Sequence, residues 1–421
     1  MVGTRIIATP DAARAKSVHG NNAVGVALFH NGSPALPGLG AHLKERVRHL
    51  LPAPPTKLAW DFLAIALAVF AADRFVLRSD GEDGWTRVMA VDVAVQNPAA
   101  WTPQAVPLAA ALRFLTGDLW TISFSAGGDP TPNFQPRLQD RDTICLFSGG
   151  LDSLLGALKL LEEGRRPLLV SQGSPKEITP QNYLAKMIGL DDHRFEGRVG
   201  ELWEPPYEPS TRGRSIIFFA YGVLAASALK LPEVIVPENG FISINPPLTP
   251  RRLGSLSTRT THPHLLGQLE AVIQGAGIPV RLTNIFEGQS KGKMLAACAH
   301  PRIAKLAAAS YSCGKGKRMN GQCGRCVPCL IRRASFKAAA IADPPSRYVA
   351  DLLGSSKYDD VMSARIAVAR WAGQSSAEFE RWVAKAGPLP SDPVRRTAIL
   401  KGVSDGMAEL DDFLSGISWK P

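Results

Sequence analysis

The hydrophobic pattern of the chain changes near residue 140, and the two sides predict different architectures. Before it, the run from Leu58 to Val76 predicts a helix and Val106 to Leu115 a shorter one. Trp85 to Val95 and Leu119 to Ser125 alternate apolar and polar residues, as strands do. This mixture predicts an N-terminal α+β domain over residues 1–135. It ends in a cluster of turn formers, Gly127-Gly128-Asp129-Pro130-Thr131-Pro132-Asn133. From Arg141 onward, short apolar runs alternate with helical ones. Strands are expected at Thr143–Phe147, Pro167–Val170, Glu233–Val236 and Pro279–Leu282, with helices at Ser153–Glu163, Ser215–Leu229 and Gln268–Ile273. Such alternation predicts an α/β domain over 140–342, a parallel sheet with helices on both faces. Residues 343–421 read as a helical C-terminal region, broken near Gly373 and at Gly387-Pro388-Leu389-Pro390, that wraps this domain or docks a partner.

Composition narrows the class. With 45% hydrophobic and 20% charged residues the chain is globular and has a sizeable core. Its longest apolar run, Phe62 to Ala72 between two aspartates, falls short of the roughly 20 residues a membrane span needs. That run reads as a buried helix, and no membrane partner is expected. The start, Met1-Val2-Gly3-Thr4-Arg5, has no apolar signal-peptide run, so the expected location is the cytoplasm. A net charge of +11 attracts anions such as ATP, nucleic acid or an acidic protein. The charge is spread along the chain, so nucleic acid is possible but not favoured.

The first chemical motif is Ser148-Gly149-Gly150-Leu151-Asp152-Ser153, placed between an expected strand and helix. Glycines let backbone amides approach an anion, and the helix start aims free N–H groups and its positive dipole end at it. The Ser148 and Ser153 hydroxyls can donate to phosphate oxygens. Asp152 suits phosphate only with Mg²⁺ between them. A Walker loop would end in Gly-Lys-Ser/Thr, and this one does not.

The second motif is Cys313, Cys323, Cys326 and Cys329, in which Gly324 permits a tight knuckle. Four soft ligands suit a closed, structural Zn²⁺ site, with an iron–sulfur cluster as the rival. Cys145 and Cys298 lie outside the set and are expected in the core.

Other candidates have plainer alternatives. Glu238 and Asn239 follow an expected strand, at the sheet edge where ligands bind, but Asn-Gly is also a common turn. Lys291 could neutralise phosphate charge or be a solvated lysine at a helix start. Arg259 and His262 fall in a hydroxyl-rich loop that begins at Ser257 and could hold a substrate base or carboxylate, or be a plain loop. Trp60, Trp85, Trp101 and Trp120 read as core aromatics.

The glycine loop resembles that of the PP-loop ATP pyrophosphatases, which have an adenine nucleotide alpha hydrolase-like (HUP) fold. The two motifs together resemble the 7-cyano-7-deazaguanine synthase (QueC) family, across about Thr143 to Ala340. Further matches are Ser312-Cys313, Arg332, Arg212-Gly213-Arg214-Ser215 and Ser290-Lys291. The resemblance implies ATP, Mg²⁺ and Zn²⁺ as cofactors, and Arg214 as a nucleotide-pocket residue. It implies catalytic roles for Asp152, Ser153 and Lys291, with a deazaguanine carboxylate adenylated and then attacked by an amine. The chain departs from the family at the substrate loop, where Glu238 to Asn245 and Ser257 to Pro263 stand instead of Tyr-Pro-Asp-Cys-Arg. The long N-terminal extension and helical tail resemble the QueC-like components of bacterial anti-phage systems of the QatABCD kind. That implies an operon partner protein as acceptor or subunit. Two other classes remain open: a PP-loop tRNA-modifying enzyme, and a binding module without turnover.

Overall fold

In the computed structural model, residues 4–20, 23–200, 207–210, 212–249, 259–313, 322–349 and 359–418 are described. Five strands, β1 (Thr4–Thr9), β2 (Ala23–His30), β3 (Gly38–Gly40), β4 (Val88–Val95) and β5 (Leu119–Ala126), form one sheet. Its helices are α1 (Ala12–Val18), α2 (Leu43–Leu50), α3 (Lys57–Phe75), the single turn α4 (Pro98–Trp101) and α5 (Ala105–Thr116). The strand order is β3-β2-β1-β4-β5, and every pairing is parallel. This corrects the expected α+β class of the N-terminal part: it is α/β. The alternating pattern revealed only β4 and β5, which are joined through α5, and parallel neighbours require such crossovers.

The second sheet contains β6 (Thr143–Leu146), β7 (Pro167–Gln172), β8 (Arg194–Gly197), β9 (Glu233–Ile235) and β10 (Arg281–Thr283). Its helices are α6 (Leu151–Glu162), α7 (Pro175–Met187), α8 (Gly213–Leu229), the short α9 (Gly240–Ile244) and α10 (Pro263–Gly275). The order β8-β7-β6-β9-β10, also all parallel, repeats that of the first sheet. The chain reverses direction across the sheet between β6 and β9. In open α/β sheets the crevice beyond the carboxyl ends of such strands is where ligands bind.

The sheets share one apolar core. Ile6 and Val91 from the first belong to the same buried cluster as Ile144 and Val170 from the second. Helices α3 and α8 pack against each other within it. The apolar run Phe62–Ala72 is thus a core helix, and among the described residues no helix is long and apolar enough to cross a membrane. Arg87 and Asp73 are fully buried with Asp118, joined at 2.7 and 2.6 Å, so the charges are paired where water cannot reach them. Asp73 also accepts from the Gly213 N–H at 2.9 Å, which ties α3 to the start of α8. Trp60, Trp101 and Trp120 are buried as expected. Trp85 is not: it is 45% exposed, under the Arg78 guanidinium.

After β10 come α11 (Lys291–Ala296), α12 (Ile303–Ala309) and α13 (Val327–Ala338), then the tail helices α14 (Asp359–Ala372), α15 (Ser376–Ala384) and α16 (Pro393–Ser415). The breaks near Gly373 and Gly387 fall between the tail helices, as the sequence predicts. Val403, Met407 and Leu410 of α16 join Phe241, Ile244 and Leu330 in a separate apolar cluster.

Candidate functional site

The loop after β6 sits at the crossing point of the second sheet. Gly149 has φ +77°, a left-handed conformation that favours glycine. A Cβ there would also stand 2.9 Å from the Gln181 side chain. Gly150 begins α6 without any side-chain cap, so the N–H groups of the first turn remain available. Ser153 Oγ donates to the Gly150 carbonyl at 3.0 Å, and Ser148 Oγ lies 3.3 Å from Ser153 Oγ. The arrangement is a nest of donors suited to a phosphate tail.

Across the crossing point, the loop after β9 brings Glu238 and Asn239 to the same place. Asn239 Nδ2 donates to Asp152 Oδ2 at 2.9 Å and to Glu238 Oε1 at 3.2 Å. Lys291, at the start of α11, puts its Nζ 3.1 Å from Asp152 Oδ2. Asp152 and Lys291 are both almost fully buried. Burial pushes the Asp152 carboxyl up, but the Lys291 charge and hydrogen bonds from Glu238, Asn239 and Lys291 outweigh it, and its pKa falls below the usual value. Glu238 moves the other way. Burial and the neighbouring Asp152 carboxylate raise its pKa well above that of an ordinary glutamate. The two carboxyls therefore shift in opposite directions beside the buried Lys291 side chain. Residues Ser148, Gly150, Asp152, Glu238, Lys291 and Ser312 line a cavity of about 200 Å³.

The expected substrate and nucleotide residues are more scattered. Glu238 and Asn239 line the cavity or touch Asp152. Arg214 forms a two-pronged pair with Glu177, at 2.8 and 3.1 Å, one turn along α7 from Gln181. Arg259 stacks over Phe114 of α5 and donates to its carbonyl at 3.2 Å. His262 is fully buried and caps α10, accepting from the His264 N–H at 3.1 Å. Burial, then Arg259 and His264, push its pKa down to about 3. Neither Arg259 nor His262 is among the cavity-lining residues. Ser257 and Thr258 lie outside the described residues.

The four cysteines converge. Their sulfurs lie within 4.8 Å of one another, all buried. Cys313 to Cys326 is 3.8 Å and Cys323 to Cys329 is 3.9 Å. A tetrahedral ion with Zn–S bonds of about 2.3 Å sets its sulfurs about 3.8 Å apart. The donor set therefore fits one zinc ion, whereas an iron–sulfur cluster spreads its thiolates wider. Backbone N–H groups of Cys323 and Cys326 point at ligand sulfurs at 3.3 Å, and Gly324 adopts φ +76°. The knuckle is tied to the glycine loop: Tyr311 N–H donates to the Gly149 carbonyl at 3.0 Å. Arg332, fully buried on α13, donates to Ser310 Oγ and Ser312 Oγ at 2.8 and 3.4 Å. Cys145 is buried, with its thiol pushed up to about 12, while Cys298 is half-buried near Glu162.

Two residues without a sequence signal complete the loop. Gln181 Nε2 donates to the Ser148 and Gln172 carbonyls at 3.1 Å each. Tyr311 is the other; a lone Gln inside a helix and a Tyr before a cysteine carry no motif.

No family model matches the chain. It is 25% identical over 234 residues to the 7-cyano-7-deazaguanine synthase of Ectopseudomonas mendocina (strain ymp), covering 49% of this chain and 98% of that protein. It is also 25% identical over 242 residues to 7-cyano-7-deazaguanine synthase 1 of Sphingopyxis alaskensis (strain DSM 13593 / LMG 18877 / RB2256), covering 50% of this chain and all of that protein. The likeness is to deazaguanine synthases. It is distant, yet it spans almost the full length of both relatives and supports a QueC-like enzyme. Half of the present chain has no counterpart in either synthase.

Proposed function

We propose that the protein is an ATP-dependent ligase that adenylates a 7-carboxy-7-deazaguanine-type carboxylate and passes the acyl group to an amine. The observation that carries this reading is the meeting of the uncapped glycine loop with Asp152, Glu238 and Lys291 at the crossing point of the second sheet. Similarity to two deazaguanine synthases supports the substrate class.

The amides of the first turn of α6 and the Ser148 and Ser153 hydroxyls hold the phosphate tail. The cavity beside that turn is where the tail would sit. Asp152 Oδ1, buried with no hydrogen-bond partner, is the oxygen that would hold Mg²⁺, and Glu238 beside it would join as a carboxylate only on giving up its proton to the ion's charge. An ion held there would neutralise phosphate charge. A substrate carboxylate oxygen attacks the α-phosphorus, the bond to the β-phosphate oxygen breaks, and pyrophosphate leaves. Lys291 neutralises the charge that builds on the phosphates. An amine nitrogen then attacks the acyl carbon, gives up a proton, and AMP leaves, giving an amide; where the amine is ammonia, a second ATP adenylates the primary amide's oxygen, and loss of AMP and a proton gives the nitrile. ATP supplies the leaving group, so no nucleophilic cysteine is needed. That favours this reading over tRNA thiolation: four cysteines suit a closed metal set, Cys145 is a buried thiol, and Cys298, half-buried with its pKa raised by burial, is not among the cavity-lining residues.

The first sheet and the tail helices, absent from a housekeeping synthase, fit a role in bacterial anti-phage defence, in which the acceptor is an amino group of an operon partner protein. The test is to incubate the protein with ATP and 7-carboxy-7-deazaguanine, with and without that partner, and to weigh the products. The reading predicts AMP, pyrophosphate and a deazaguanine-sized mass on an amine. Absence of pyrophosphate release, with Asp152→Ala indistinguishable from wild type, contradicts it.

A further inference from the structure

Helix α16 carries Ala398, Gly402 and Gly406 at four-residue spacing, and so along one face. That face lies close on the segment leading to α11 and on Phe241. A Cβ at Gly402 would stand 2.8 Å from the Gly288 carbonyl carbon, and one at Gly406 2.9 Å from the Phe241 ring. Glu409 continues the face and reaches the first turn of α11. Its carboxylate accepts from Ser290 Oγ and, at 3.0 Å, from the Gly292 N–H. Any side chain at Gly292 would collide with that carboxylate. Lys291 stands between the two residues so held.

Two ion pairs fasten the same stretch to the same helix: Arg395 with Glu287 and Lys293 with Asp405, each at 2.6 Å. Both are partly open to solvent, where such pairs contribute little. The Glu409 contacts are less exposed and bear on the residues flanking the lysine. The braced stretch also reaches the opposite loop, because the Gln289 carbonyl accepts from the Gly240 N–H at 2.8 Å, directly after Asn239.

We infer that Glu409 is a positioning residue: from the C-terminal helix it fixes the backbone on both sides of Lys291, and so sets where that ammonium stands against Asp152. Residues 393–415 are then a working part of the site and not only a cover. The catalytic meaning of this inference rests on the proposed ligase reading; the placement of Lys291 does not.

The test uses the full chain as wild type, Glu409→Ala, Glu409→Asp and Glu409→Gln. One readout is acetylation of Lys291 by acetic anhydride, measured by peptide mass against the exposed Lys57. The other is the rate of pyrophosphate release. Glu409→Ala should raise Lys291 labelling at least about tenfold, since the turn now opens locally. It should lower kcat roughly 10- to 100-fold while KM for ATP changes less than about threefold. Glu409→Gln, which still accepts from Gly292 and can donate to Ser290, should restore both towards wild type. If Glu409→Ala does not fold, Glu409→Asp keeps the charge, withdraws the oxygens and should give intermediate labelling. Unchanged protection of Lys291 in a folded Ala or Asp variant overturns the inference. A wild type that releases no pyrophosphate sinks the ligase reading alone, and the labelling still decides the role of Glu409.

Discussion

The Lys291 ammonium lies 3.1 Å from the Asp152 carboxylate, and each is almost fully buried. One comes from the start of α11, the other from the first turn of α6. Their meeting joins two distant stretches of chain in one electrostatic unit.

Removing the ammonium should expose what it holds in place. Lys291→Met leaves Asp152 buried without its cation, and breaking a buried pair costs about 3–5 kcal/mol. Part of this is recovered as Asp152 takes up a proton. We expect a net loss of about 2 kcal/mol in urea unfolding at neutral pH. Pyrophosphate release should fall about 100-fold or more, the scale for losing one preorganised charge. Full activity in Lys291→Met would remove the lysine from the mechanism.

Glu238 and Asp152 contribute opposite pH dependences. The folded state holds the Glu238 proton above the unfolded value of about 4.3, so it binds more protons than the unfolded chain. Stability therefore falls as pH rises from that value, by at most about 1.4 kcal/mol per pH unit, until the raised folded pKa is passed. Asp152, whose folded pKa is lowered, stabilises above about 3.9 and loses this only as pH falls through its folded value. Glu238→Gln should flatten the decline that begins above about pH 4.3, read from urea midpoints. An unchanged slope would place the proton elsewhere.

His262 should be an acid-sensitive cap. Its folded pKa of about 3 lies below the unfolded value of about 6.5. The unfolded chain binds the extra proton first, so stability falls as pH drops below about 6.5, by about 3 kcal/mol near pH 4. His262→Asn supplies another helix-capping side chain without a titrating ring. It should unfold with less dependence on acid, measured by thermal melts across that range. A melt as acid-sensitive as wild type would show that another group titrates.

Metal analysis should find one zinc per chain and no visible absorbance of an iron–sulfur cluster. Removing the metal with a strong chelator, or Cys323→Ser, should lower the melting temperature and loosen Tyr311 from the Gly149 carbonyl. Because the knuckle touches the glycine loop, ATP affinity should weaken in parallel. A chelated protein that binds ATP normally would separate the two sites.

The site was legible where chemistry concentrates in a few adjacent residues. The glycine loop and the cysteine set each carry a local signature; the structure sets the loop between β6 and α6 and brings the four sulfurs together. The helix over Leu58 to Val76 and the strand before the glycine loop were legible because each is a continuous apolar run. The first sheet was harder. β1 and β2 are not among the expected strands, although β2 is as long as β4, and their parallel pairing appears only through crossovers. Trp85 shows the limit of residue type as a guide: a neighbouring arginine lets the ring lie at the surface. Arg214, Arg259 and His262 have partners that come from α7 and α5, far away in sequence. Glu409 had no signal, since a glutamate on a mixed helix face is ordinary until the segment it meets is known.

The central claim is that the turn from Ser148 to Ser153 holds the phosphate tail of ATP, with Asp152 and Lys291 beside it. A crystal structure with a non-hydrolysable ATP analogue tests this most directly. The account predicts phosphate oxygens within hydrogen-bond reach of the first-turn amides of α6 and of Lys291. A nucleotide bound elsewhere, with that turn unchanged, would contradict it.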